Sequence, residues 1–338
     1  MTPIQDLLPG LKSELSLKRN FNQGVFWNFI SLGVQGVAGM AANLIIISLR
    51  GPEAIGIFNQ VHAFYMFLSQ IAVGGIHFSV LKSVSHNQKD LRKCIDLTVS
   101  GMILALVLSL IVVLPSYIFR ETAGHLMKSE NVALGLTVAL PGLVFFSLNK
   151  VLLNVLNGLR RMRAYAVFQA LRFIFILTTA SIMIRFNLDR DGVLLPFTLT
   201  ATEVLIFIIC LIYVNLSLSP TKLTRRATTY FREHIVFGMR GFLSGVLGQI
   251  NTRIDVLMLG YFSDDKTVGI YTFASVIAEG FASISFIVRR NVDPLLGAFF
   301  SKSDVGNILL AIKRIRRVFV PLMAILGIAA IFGYSVFR

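Results

Sequence analysis

Charged residues are scarce in this 338-residue sequence, at 14%, whereas hydrophobic residues make up 55%. Soluble domains carry nearly twice that share of charge. Only two cysteines are present, Cys94 and Cys210, and no CxxC spacing indicates a redox or metal role for them. Both are predicted to be packing residues. The scarcity of charge excludes an ordinary soluble fold and predicts an integral membrane protein.

Catalytic and cofactor motifs are missing as well. The sequence has no glycine-rich phosphate loop, no zincin helix, no nucleophile elbow and no HxxxH pair among its five histidines. The opening stretch MTPIQDLLPGLKSELSLKRN lacks an apolar core followed by a small-residue cleavage site. The first membrane helix is therefore expected to direct insertion itself. Nothing in these patterns implies an enzyme, a cofactor or a metal.

Long apolar runs dominate what is present. A membrane helix needs roughly 20 apolar residues, and runs of this length are far too continuous for barrel strands. The sequence therefore predicts an all-α membrane bundle of about nine transmembrane helices. The runs cover residues 24–49, 56–81, 96–119, 132–157, 165–185, 193–216, 235–261, 268–288 and 318–336.

The distribution of lysine and arginine predicts the orientation of these helices. The amino-terminal tail and every second loop after it hold 21 basic residues, and the opposite loops hold six. By the positive-inside rule, the amino terminus and the basic loops are cytoplasmic. The net charge of +15 then follows from topology and contact with anionic membrane lipids, so nucleic-acid binding is not predicted.

An internal repeat relates the two ends of the chain. The stretch IIISLRGPEAIGIFNQVHAFYMF, from Ile45, matches DVLMLGYFSDDKTVGIYTFASVI, from Asp255, as helix end, short acidic loop, Gly-Ile-aromatic and next helix. Six helices separate the two starts, which predicts parallel six-helix repeats of the kind found in many transporters. The expected parts are a cytoplasmic tail (1–23), a first six-helix lobe (24–216), a basic cytoplasmic linker (217–234) and a partial second lobe (235–338).

With its VLMLGYF helix end, short loop, VGIYTFA stretch and basic cytoplasmic loops, the chain resembles the polysaccharide biosynthesis membrane proteins. These are the O-antigen and lipid-linked-oligosaccharide flippases of the multidrug/oligosaccharidyl-lipid/polysaccharide exporter superfamily. The resemblance implies transport of a polyprenyl diphosphate-linked oligosaccharide across a bacterial inner membrane by alternating access, without a cofactor. It also implies polymerase or export proteins as partners. A complete second half would extend to near residue 440. We therefore expect the sequence to be truncated, to come from an interrupted gene, or to have its missing half supplied by another chain, and the first two are favoured.

Four basic and three acidic residues fall inside the predicted helices, away from the helix ends. Such groups are costly in hydrocarbon and by default face the bundle interior or a cavity. The bases are Lys150, Arg172, Arg240 and Arg253, and the acids are Glu203, Asp255 and Glu279. Helical spacing puts Arg240, Ser244, Gly248, Asn251 and Asp255 on one face of the seventh helix. His62 and His77 belong to a polar stripe on the second helix.

Each of these residues has two interpretations. Arg172 and Arg253 are candidate diphosphate ligands, as the resemblance implies, or members of structural ion pairs. Lys150 and Arg240 are candidate basic lumenal groups, or they extend to the cytoplasmic face. Asp255, Glu203 and Glu279 are candidates for ion coupling, or pair with buried bases. His62, His77 and Asn251 are lumenal candidates, although the histidines also suit a satisfied polar core.

Three competing functions stay open at this stage. A cation-coupled multidrug exporter of the same superfamily would have a lumen dominated by acids and aromatics. A membrane glycosyltransferase or polymerase would need a larger outer loop than FRETAGHLMKSEN. A non-transporting scaffold would not explain the repeat and its matched polar stripes.

Overall fold

All secondary structure in the described part of the chain is helical, as predicted. The computed structural model describes residues 7–218 and 227–280 and single helical positions between 309 and 328, with side chains from residue 26 onward. The helices are α1 (Leu7–Val73), α2 (Ile76–His86), α3 (Leu91–Ile118), α4 (Arg120–Leu126), α5 (Glu130–Ala139), α6 (Gly142–Gly158), α7 (Met162–Arg185), α8 (Phe197–Leu218), α9 (Phe231–Phe262) and α10, residues 265–280.

Within these residues, four helical stretches are long and apolar enough to cross a membrane, or five if the bent pair α5 and α6 is one span. They are Phe26–Val73, Leu91–Ile118, Met162–Arg185 and Phe197–Leu218. The first has 48 residues, which is enough for two crossings. The chain is thus a multi-pass helical membrane protein. The predicted helix at 318–336, apart from single helical positions up to 328, and the end of that at 268–288 lie outside the described residues.

Glycines break the helical chain at two places, one in the predicted loop between the first two helices and one inside the second predicted helix, where no break was expected. α1 runs through the predicted loop, but Gly51 has φ 85° and ψ 176° and is followed by Pro52, so the helix changes direction there. The expected helix at 56–81 is then interrupted by Gly74 and Gly75, whose φ angles are 54° and 73°. A Cβ on Gly75 would overlap the backbone carbonyl of Gly238 in α9. The break therefore lets two helices approach closely, which a side chain would prevent.

The predicted helix at 132–157 is two helices. α5 and α6 meet at an angle of 47°, with Pro141 directly before α6. Proline has no N–H to donate and clashes with the preceding turn, so a continuous helix through this position is disfavoured. The bend brings Gly142 against α8, where its N–H donates to Thr200 Oγ1 at 3.1 Å.

Two apolar clusters form the core of the described bundle. One joins α1, α5, α6 and α7 around Ile55, Tyr65 and Leu143, and the other joins α2, α3, α6 and α8 around Val80, Leu152 and Ile206. Lipid tails are as apolar as these side chains, so close packing rather than water exclusion stabilises such contacts. The chain divides into two compact units, Met1–Phe273 and Ala274–Arg338. The predicted lobe boundary at the basic linker stays a prediction.

Candidate functional site

A buried ion pair joins α7 to α8. Arg172 Nε lies 2.7 Å from Glu203 Oε1, and Arg172 Nη2 donates to Glu203 Oε2 at 3.2 Å. The residues are only 9% and 3% exposed. Asn149 in α6 completes the arrangement, because its Nδ2 donates to Glu203 Oε2 at 2.8 Å and to the Glu203 backbone carbonyl at 2.9 Å. The carboxylate is thus held by one ion-pair contact and two hydrogen bonds, which offset the cost of burying it.

Lys150 lies beside this pair, and both Lys150 and Arg172 approach the ring of Phe146. Its Nζ is 5.2 Å from the centroid of Phe146, and the Arg172 guanidinium carbon is 4.8 Å from that centroid. Phe146 is one turn toward the start of α6, away from the basic loop that follows the helix. The ammonium therefore reaches back along α6, which argues against the alternative that Lys150 extends to the cytoplasmic face. Within the described residues, Lys150 has no carboxylate at ion-pair distance.

Two histidines lie near these charges without pairing with an acid in the described structure. His77 opens α2, is 5% exposed and packs on Phe78 with ring centroids 3.9 Å apart. Lys150 is close enough to act on His77 electrostatically. His62 lies parallel to the Phe58 ring at 6.2 Å and is within electrostatic range of Arg253 on α9.

α9 has two faces of different character. One packs on α1 and α2 through small or polar residues: Gly238 meets the backbone at Gly74 and Gly75, Gly245 lies against Gln70, and Gly260 lies against Gln60. The other face carries the stripe predicted from sequence. Its exposed members are Arg240, Ser244, Gly248 and Asn251.

The remaining charged candidates on the second repeat differ in their surroundings. Gln70 Nε2 of α1 donates to Gln249 Oε1 of α9 at 3.4 Å. Arg253 is half-buried and follows Gln249 by one turn, so it belongs to the side of α9 that packs on α1. Asp255 is also half-buried, and its Oδ2 accepts a hydrogen bond from the Tyr271 hydroxyl of α10 at 2.7 Å. Glu279 is exposed near the end of the described part of α10. Arg253 and Asp255 point apart, as their spacing predicts.

The two Gly-Ile-aromatic triplets of the repeat meet face to face. A Cβ on Gly56 would overlap the Asp265 carbonyl and lie 3.0 Å from Gly269 N, and a Cβ on Gly269 would overlap the Pro52 carbonyl and lie 3.1 Å from Gly56 N. One turn further on, Asn59 Nδ2 donates to Thr272 Oγ1 at 3.0 Å across 213 residues. Repeat-equivalent residues that touch each other lie on the axis relating the repeats, so this crossing marks a local two-fold axis.

Several residues of these contacts were missed by the sequence analysis. Asn149 reads as one of many polar residues in α6, and only the fold brings it to Glu203. Asp265, Gln60 and Ser129 form a second cluster that no motif indicates. Asn59 and Thr272 could have been paired in advance, since they occupy equivalent positions of the repeat.

The described residues contain no group of three or more His, Cys, Asp or Glu that could hold a metal ion. Cys94 and Cys210 are buried free thiols. Both positions agree with their predicted packing role.

Several solved structures share this fold. The chain is similar to an inward-facing multidrug resistance MATE family transporter of the MOP superfamily (TM-score 0.66, 16% identity, covering 88% of this chain and 75% of that one). It is similar to a MATE transporter in complex with Br-NRF (0.63, 18%, 92% and 76%). A MOP superfamily transporter from Pyrococcus furiosus, described as having a binding pocket of reverse polarity, also matches (0.61, 17%, 91% and 74%). The fold is that of MOP-superfamily transporters.

Sequence comparison identifies the family within that class. A model of the family described as polysaccharide biosynthesis protein matches residues 21–292, which is most of the chain. The chain belongs to this family. No curated protein sequence matches it with significance.

Proposed function

We propose that this protein moves a polyprenyl diphosphate-linked oligosaccharide across a bacterial inner membrane by alternating access of two lobes. The observation that carries the proposal is the family match over residues 21–292 in a chain with the fold of MOP transporters. The amino terminus and basic loops would face the cytoplasm. The sugar headgroup would cross through a polar passage while the prenyl tail stays in lipid. This step breaks no covalent bond and needs no cofactor.

Lys150 and Arg253 are the cations best suited to hold the diphosphate. Lys150 has no ion-pair partner among the described side chains, and its ammonium reaches toward mid-membrane. Arg253 lies where the second repeat meets α1. A diphosphate accepts strong charge-assisted hydrogen bonds from such groups. Arg172 supports the site instead, because two of its nitrogens are engaged by Glu203.

The other candidates have supporting places in this proposal. His77 is within electrostatic range of Lys150, and His62 is within electrostatic range of Arg253, so both would contribute to the polar lining. Arg240 and Asn251 belong to the exposed stripe of α9, which would face the passage. Asp255 and Glu279 are the acids outside the Arg172 pair, and they are the candidates for ion coupling.

A multidrug exporter is the second candidate, because transporters of that kind share the fold. A cationic drug would require an available carboxylate in the membrane. Glu203 is already bonded to Arg172 and Asn149, which disfavours it as a drug ligand. One similar structure is described as having a pocket of reverse polarity, so the fold alone does not select a cationic substrate.

The proposal is tested in a bacterium that lacks its own oligosaccharide flippase. The similar structures extend beyond this chain, so it is expressed both alone and joined to the remaining second-lobe helices of a family member. We expect lipid-linked glycan to reappear on the outer face of the inner membrane in at least the extended form. No glycan together with acquired resistance to cationic drugs would contradict the flippase and favour the exporter.

A further inference from the structure

The Asp265 carboxylate bridges the start of α10 to two separate elements of the first six-helix region. Gln60 Nε2 of α1 donates to Asp265 Oδ1 at 2.7 Å, and the Ser129 hydroxyl, between α4 and α5, donates to Asp265 Oδ2 at 2.6 Å. Gln60 is fully buried and Ser129 is 8% exposed. Both carboxylate oxygens are therefore used, and both partners come from the other repeat.

The residues around this bridge are closely packed against one another. A Cβ on Gly260, at the end of α9, would overlap the Gln60 side-chain oxygen and lie 3.0 Å from Met127 Sδ. Ala63 of α1 packs with Val256 of α9 and Val268 of α10 just below the bridge, and all three are at most 1% exposed. The α9–α10 hairpin thus closes one end of the contact between repeats.

The bridge breaks the symmetry of the repeat. The backbones match, since the carbonyl of Pro52 lies over Gly269 just as the carbonyl of Asp265 lies over Gly56. The side chains do not match, because the position equivalent to Asp265 is Pro52, which has no polar group. The glycine crossing is therefore symmetric in its backbone, but only the Asp265 side has hydrogen bonds from side chains of the other repeat.

The chemistry of the bridge suits a contact that opens and closes. Both donors are neutral, and the described ion pairs do not include Asp265. Separating a carboxylate from an amide and a hydroxyl leaves no unpaired cation behind, whereas breaking a buried ion pair strands a charge. Water at the loop end of the bundle can replace both hydrogen bonds at modest cost.

We infer that Asp265, with Gln60 and Ser129, forms a latch that holds this end of the passage closed, and that the Gly56–Gly269 crossing beside it is the pivot. In the proposed topology this is the outer end. The inference rests on the proposed function, since only a transporter needs the end to open. Release of the latch frees the hairpin to separate from α1, and reformation closes the end after transport.

The latch is tested by thiol labelling of the purified chain in detergent, with Ala63→Cys as reporter in a background of Cys94→Ser and Cys210→Ser. A hydrophilic maleimide reaches position 63 only when the α9–α10 hairpin separates from α1. We expect Asp265→Ala to raise the labelling rate about tenfold or more, as loss of two hydrogen bonds to a carboxylate implies. Gln60→Met should also raise the labelling rate. Combined with Asp265→Ala it should raise that rate little further, because both substitutions remove the same Gln60–Asp265 hydrogen bond.

The neighbouring acid provides the matched control. Asp264 bonds only locally, accepting from Thr267 N at 3.0 Å, and hydrogen bonding by Thr267 lowers the pKa of its carboxyl. Asp264→Asn should leave labelling at position 63 unchanged. A second reporter, the native Cys210 with Cys94→Ser, should stay unlabelled in every variant, which separates opening of the latch from general unfolding.

Equal labelling of the Asp265→Ala and unsubstituted chains would overturn the latch, as would equal effects of Asp264→Asn and Asp265→Ala. Labelling of Cys210 in step with position 63 would also overturn it in favour of a purely structural role. None of these readouts requires a transported substrate. Failure to move glycan would therefore count against the proposed function alone, and unchanged labelling would count against the latch alone.

Discussion

The α7–α8 pair and the polar stripe of α9 place similar residues in different surroundings. Arg172 and Glu203 are almost fully buried and bonded to each other, whereas Arg240 and Asn251 lie on an exposed helix face. Both sets stand in helices predicted to cross the membrane, and both look alike in the sequence. A charged side chain in an apolar helix can therefore stabilise the fold through a buried ion pair, or lie on an exposed face that could line a passage. The contacts that it makes distinguish the two cases.

Removing one member of the buried pair should have the largest effect. Glu203→Ala leaves the Arg172 guanidinium buried without a counter-ion, which typically costs about 3–5 kcal/mol. We expect little folded protein, measured as the monodisperse fraction after detergent extraction and as thermal unfolding temperature.

The double variant Arg172→Met with Glu203→Leu separates charge from packing. Apolar replacement of a whole buried pair is often neutral, so this chain should recover most of the folded protein. If Glu203→Ala alone were as stable as the unsubstituted chain, the pair would have no structural role.

Arg253→Ala should abolish export without loss of protein. Arg253 is within electrostatic range of His62 of α1, where the proposal places the diphosphate. The measurement is lipid-linked glycan on the outer face at matched protein level. Unchanged surface glycan would remove Arg253 from the binding site.

Lys150→Ala should lower transport by roughly tenfold or more, because it removes one charged hydrogen-bond donor from the diphosphate. Lys150→Arg keeps the charge and serves as the control, so it should retain more activity than the alanine variant. Loss of folded protein in Lys150→Ala, parallel to that in Glu203→Ala, would instead assign Lys150 to the fold.

The smallest effect on stability is expected from Arg240→Ala. Exposed substitutions away from packed features usually change the unfolding free energy by less than about 0.5 kcal/mol. Thermal unfolding should be unchanged. A large destabilisation would show that the stripe of α9 is packed against another part of the protein, and the contrast with the α7–α8 pair would disappear.

Much of the fold follows from hydrophobic run length and loop charge, because a bilayer fixes how many apolar residues a helix needs. The family resemblance and the repeat were likewise readable from Gly56 and Gly269. Helix breaks were less predictable. Glycines are common in membrane helices, so the sequence does not indicate a helix break at Gly74 and Gly75. The break is explained only by the close approach of α9 in the folded structure.

The candidate site was predictable as a set of residues, but not as pairs. The sequence placed Arg172, Glu203 and Lys150 inside helices, yet their assignment depends on which helices pack together. Asn149 and Asp265 had no distinguishing pattern, since an amide in α6 and an acid in a loop are common. Pairing across 54 and 205 residues is a property of the tertiary structure.

The most direct measurement is translocation by the purified protein in liposomes, with labelled polyprenyl diphosphate-linked oligosaccharide in one leaflet and a glycan-cleaving enzyme outside to score the other. The account predicts that the cleavable fraction changes with time in vesicles containing the unsubstituted chain, and far more slowly with Arg253→Ala at equal protein content. Equal rates for Arg253→Ala, unsubstituted and protein-free vesicles would contradict the account.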